Sequence, residues 1–87
     1  MKLSELSAMA QAVVGPQYVA AVVPAVVACA QVTVKRAKGH KEGVRFPANK
    51  LRDAITAKGL RIVYERHDER AGEWFCAIEG RPFRSDE

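Results

Sequence analysis

Apolar residues recur at helical spacing near the start of the chain. Leu3, Leu6, Met9, Ala10, Val13 and Val14 follow the i, i+3, i+4, i+7 progression, with Ser4, Ser7 and Gln11 largely off that stripe. The pattern predicts a helix over residues 3–14. Gly15-Pro16 ends it, because proline disfavours helical geometry in the residue before it. A second helical stripe runs through Ala48, Leu51, Ala54 and Ile55 and predicts a short amphipathic helix over residues 47–58. Pro47 suits the first helical position, where its missing N–H costs nothing, and Gly59 supplies a stop that tolerates positive φ.

Alternation marks the strands. Residues 31–36 (QVTVKR) place Val32 and Val34 on one face and predict a half-buried strand. Val44-Arg45-Phe46 is expected to pair back as a short second strand. After Gly59, two β-rich runs at 60–66 and 74–79 flank a polar turn at 67–73 containing Gly72, which predicts a hairpin. Side chains alternate across a strand, so Leu60, Ile62 and Tyr64 should share one face and Trp74, Cys76 and Ile78 another, with Phe75 pointing away from Trp74.

Residues 17–30 (QYVAAVVPAVVACA) fit no single period. Alanine favours helix and valine mildly disfavours it, and Pro24 sits poorly in a helix interior. The reading favoured is one kinked helix, or two short ones with Pro24 opening the second; a buried strand is the alternative. The uninterrupted apolar run is 13 residues, below the ~20 that span a bilayer, so core burial or a homodimer interface is expected rather than a membrane role.

These elements predict an α+β fold, with N-terminal helices packed on a small antiparallel sheet and one crossing amphipathic helix. Eighty-seven residues, 48% hydrophobic and 28% charged, make one folded domain. It divides into an apolar helical half (1–30), a basic strand, loop and helix (31–59), the hairpin (60–80) and a polar tail (81–87).

Charge adds more than its total of +4. Residues 1–34 are neutral, residues 35–61 carry nine Lys/Arg against two acids, and residues 62–87 carry four Arg against seven acids. A concentrated central basic block points to an anionic partner, with nucleic acid first and DNA ahead of RNA. Lys35, Arg36, Lys38, Lys41 and Arg45 are suited to phosphates, around Gly39 and Gly43, which let a backbone approach a ligand closely. Asn49, Lys50 and Arg52, opposite the apolar stripe of their helix, are of the residue types that read base edges. The helix at 47–58 followed by the hairpin resembles the second half of winged-helix nucleic-acid-binding domains over about residues 46–80. That resemblance implies Lys50 and Arg52 facing the major groove and the turn at 67–73 as the wing.

A different partner is indicated by the turn itself, HDERAGE, which has net charge −2 with His neutral. Asp68, Glu69 and Glu73, with Phe75 beside them, are candidates for a protein interface, as in a small inhibitor or adaptor of phage type acting on a nucleic-acid-processing complex. Phe75 can equally stack on a single-stranded base or anchor a protein. His40 and His67 are isolated, Cys29 and Cys76 form no CxxC pair, and no nucleophile elbow, dinucleotide fingerprint or metalloprotease helix occurs. No enzymatic activity, metal or cofactor is expected. The lack of a secretory pattern and the unpaired thiols lead to the expectation of a cytoplasmic protein.

Overall fold

In the computed structural model, which describes residues 2–25, 30–38, 46–68 and 70–79, the chain runs α1 (Leu3–Val14), β1 (Tyr18–Pro24), β2 (Ala30–Arg36), α2 (Ala48–Ala57), β3 (Arg61–Asp68), β4 (Glu73–Glu79). The four strands form one antiparallel sheet in the order β1-β2-β4-β3. The apolar stripes behave as their spacing requires. Leu6, Ala10 and Val14 of α1 and Leu51 and Ile55 of α2 are buried, and they meet Tyr18, Ala30, Val32, Val34, Trp74, Cys76 and Ile78 from one face of the sheet. Both helices therefore lie on the same face, and the other face carries no helix among the described residues. Tyr18, Phe46 and Trp74 continue the core as a run of rings, with Phe46 5.3 Å from Tyr18, 5.5 Å from Trp74 and 5.4 Å from His67, centroid to centroid.

Residues 17–30 require a correction. The expected kinked helix is absent from the described part, and Tyr18–Pro24 is a strand at the sheet edge. Tyr18, Ala20 and Val22 turn toward the helices while Val19, Ala21 and Val23 turn away, so an apolar residue stands on both faces and no alternation shows in the sequence. Pro24 is tolerated because of where β1 lies. Tyr18 C=O and Ala20 N–H bond outward to a side chain rather than to β2. By the two-residue period Pro24 also presents its backbone outward, where a missing N–H breaks no ladder bond.

Gln11 closes that outer edge. Its Nε2 donates to the carbonyls of Gly15 (3.0 Å) and Tyr18 (2.8 Å), and its Oε1 accepts from Ala20 N–H (2.9 Å). A glutamine on α1 thus takes the place of a fifth strand over one turn of backbone, covering groups that otherwise template edge pairing.

Other expectations shift by smaller amounts. Helix α2 begins at Ala48, with Pro47 as the residue before it, and Gly59 follows with φ +80° as its stop requires. Strand β3 extends to Asp68, so the turn is shorter than residues 67–73. The register slips between Ile62 and Tyr64: Ile62 faces Ile78, but Tyr64 faces Ala77 and Glu65 faces Cys76. This bulge reverses the faces beyond it. Tyr64 goes to the open face, against the expectation that it shares the Leu60–Ile62 face, and Glu65 and His67 go to the helix side. Of the expected strand Val44-Arg45-Phe46, Phe46 lies outside any strand, and Val44 and Arg45 lie outside the described residues. Cys29, Gly39, His40, Lys41, Gly43, Glu69 and the tail from Arg81 also lie outside them.

The elements repeat where the sequence shows no repeat. Each half runs helix, edge strand, central strand, and the strands of the second half start 43 residues after those of the first, Tyr18 to Arg61 and Ala30 to Glu73. An approximate two-fold axis passes between β2 and β4. Each helix also reaches its own edge strand through a polar side chain, Gln11 to β1 and Arg52 to β3.

Candidate nucleic-acid interface

The open face of the sheet is defined by register. Across β1-β2-β4-β3 one row reads Ala21, Thr33, Phe75, Arg66; the next reads Val23, Gln31, Ala77, Tyr64; a third reads Val19, Lys35, Glu73, Asp68. Tyr64 and Phe75 are diagonal neighbours, the positions at which long side chains meet across a ladder. Their centroids are 6.0 Å apart and their planes are inclined by 61°. Tyr64 is 53% exposed and Phe75 half-buried, so both rings keep free surface. A depression at this end of the sheet is lined by Thr33, Lys35, Arg66, Asp68, Arg70, Glu73 and Phe75, with His67 and Trp74 from the neighbouring positions of β3 and β4.

Cations gather at this end of the sheet. Lys35 and Arg66 flank Phe75 on the open face, Arg70 stands in the β3–β4 turn, and Lys38 is exposed just beyond β2. Arg36 points to the other face and half-buries itself over the turn. Its backbone N–H donates to Gly72 C=O (2.9 Å), and a β-carbon at Gly72 would come within 2.6 Å of its Cζ. Gly72 has φ +67°, so a side chain there meets both strained backbone and the guanidinium. The acids are Asp68 and Glu73. Asp68 has a structural task, since its Oδ1 accepts the Ala71 N–H (3.1 Å) and caps the turn.

The residues expected to read a groove stand in the other layer. Asn49 and Lys50 are exposed on α2. Arg52 is committed to the fold: its Nε donates to Glu65 Oε1 (2.6 Å), its Nη2 to Glu65 Oε2, and its Nη1 to Asn49 Oδ1 (2.5 Å). This two-pronged pair ties α2 to β3. It holds the Glu65 carboxyl below its ordinary range, against the opposing cost of burial, with smaller help from the Trp74 indole and His67. The Trp74 indole N–H is buried and meets no acceptor at hydrogen-bond geometry, so its pull on Glu65 is electrostatic and not a formed bond. The same pair raises the affinity of Arg52 for its proton.

Lys35 and Phe75, expected to serve different partners, are thus brought together, while Asn49, Lys50 and Arg52 are on the opposite side. The sequence does not single out Tyr64, Arg66, Arg70, Gln31 or Thr33 as binding residues. Ile62-Val63-Tyr64 puts three apolar residues in succession, which departs from strict alternation without placing the bulge.

Cys76 is a free thiol, fully buried, and burial pushes its pKa up to about 12, so it is protonated at neutral pH. Among the described residues no three His, Cys, Asp or Glu side chains come together as a metal site, and no helix is long and apolar enough to cross a membrane. No family model matches the chain, and no curated protein or solved structure is significantly similar to it.

Proposed function

We propose that this protein is a small, non-enzymatic nucleic-acid-binding module that contacts phosphates through the cationic end of its sheet. The observation that carries the reading is the gathering of Lys35, Arg36, Lys38, Arg66 and Arg70 where β2 ends and the β3–β4 turn begins, against Asp68 and Glu73 alone among the described acids there. Three separate segments supply these cations, so the patch is a product of folding and not of one basic run. Such a patch gives affinity by releasing counterions from phosphates.

The test is direct binding of oligonucleotides to the purified protein across a salt series. Affinity should fall linearly on a log–log plot, with a slope of about −0.7 per contact for single strands or −0.9 for duplex. Absence of binding to DNA and RNA at low salt would remove the reading. It would leave the second one, a protein-binding inhibitor or adaptor, which is favoured by the exposed apolar strip Val19 and Val23 on the same sheet face.

A further inference from the structure

We infer that the ligand is unpaired nucleic acid, single-stranded DNA or RNA, and that its bases stack on Tyr64 and Phe75 while Lys35, Arg66 and Arg70 hold its phosphates. The inference rests on the nucleic-acid reading above and deepens it. Width carries the first step. Four strands at ~4.8 Å spacing set the outer strands about 14 Å apart, and the major groove of B-DNA is ~12 Å wide, admitting one helix or a two-stranded ribbon. This sheet face is too wide for the major groove of an undistorted duplex. It can receive bases that have been splayed out, because an unpaired base offers its π-face to an aromatic side chain.

Chemistry carries the second step. The face holds two rings with free surface, inclined by 61°, so they offer two differently tilted platforms instead of one shared plane. Tyr64 is on this face only because the bulge after Ile62 turns it there, and the ring, left 53% exposed, stands outside the hydrophobic core. Gln31 and Thr33 lie in the same two rows and bring hydrogen-bonding groups beside the rings, and the cations lie within one strand of Phe75. Aromatic platform, polar neighbours and flanking cations together match an oligonucleotide strand. The charge complements a polyanion, which an apolar peptide would not use. Stacking tolerates any base, so low sequence preference follows.

The experiment compares fluorescently labelled single-stranded DNA, single-stranded RNA and duplex DNA of one sequence, with the whole chain and four variants. Tyr64→Phe keeps a ring and should bind as the parent does. Tyr64→Leu keeps apolar bulk without a ring and should lose about 5-fold or more in single-strand affinity. Phe75→Leu should act likewise, with the melting temperature of each variant measured to confirm folding. Lys50→Gln on α2 should leave binding unchanged. Ultraviolet crosslinks to bound single strands should map to β3 and β4. Duplex preferred over single strand, equal binding by the leucine and phenylalanine variants, or crosslinks confined to α2 would each overturn the stacking inference and leave the nucleic-acid reading intact. Absence of binding to all three nucleic acids would overturn both.

Discussion

Glu65 shows how one backbone irregularity reassigns a residue. Strict alternation would put it in solvent, yet the bulge places it over Cys76 on the helix side, where Arg52 meets it with two donors. Its carboxyl is held low chiefly by those hydrogen bonds, so its contribution is complete above the ordinary carboxylate value and is lost as pH falls through the lowered one. The pair is partly exposed, 39% for Arg52 and 23% for Glu65, which screens it to about 1 kcal/mol. Glu65→Gln should therefore lower the melting temperature by ~4–8 °C at pH 7 and flatten its decline toward acid, where parent and variant converge. Parallel pH profiles for the two proteins would show that the pair does not carry this linkage. The candidate site is legible in the sequence only in part at this scale. Phe75 can be placed opposite Trp74 by counting, and Lys35 by its basic neighbourhood, but Tyr64 cannot, since a bulge is set by pairing with β4. Arg52 looks free in the sequence because its partner is 13 residues away on another element.

Elements are more legible where one physical cause dominates. Helix α1 has the bounds its stripe and Gly15-Pro16 dictate, and Leu51 and Ile55 are buried as their period requires. Strand β1 departs from the expected helix because its identity lies in its neighbours. Valine and alanine fill both of its faces, and Pro24 argues against a strand until the strand is known to be an edge. What then protects this edge is Gln11, through three hydrogen bonds that water can replace at modest cost. Gln11→Ala should destabilise the fold by about 1 kcal/mol. It should also uncover Tyr18 C=O and Ala20 N–H as a template for strand addition. Melting curves and size-exclusion profiles at increasing concentration check both effects. A variant that melts with the parent and elutes as the same species throughout would mean that the edge is guarded by something other than this side chain.

At the scale of the molecule, near-symmetry of the scaffold makes the charge distribution informative. The approximate two-fold axis exchanges the two ends of the sheet, so element order and strand pairing are the same at both. Among the described residues, the end near Arg61 and Glu79 holds that pair at 2.9 Å, with Lys58 close by in sequence, while the end near the β3–β4 turn has the larger excess, Lys35, Arg36, Lys38, Arg66 and Arg70 against Asp68 and Glu73. The excess is thus not a requirement of the fold. Replacing Lys35, Lys38, Arg66 and Arg70 with Gln keeps most of their aliphatic reach and removes four charges. Single-strand affinity should fall, and the salt slope should flatten by up to ~2.8 if all four touch phosphate. Asp68→Asn with Glu73→Gln is the opposing variant. The amide introduced at position 68 retains an oxygen that can cap Ala71 N–H, so the turn should survive while repulsion of phosphate is relieved, and affinity should hold or rise. The two sets separate the partners by sign. If neutralising the acids abolishes the protein's activity and neutralising the cations does not, the same end of the sheet recognises a basic protein surface, and the counterion account of its charge is wrong.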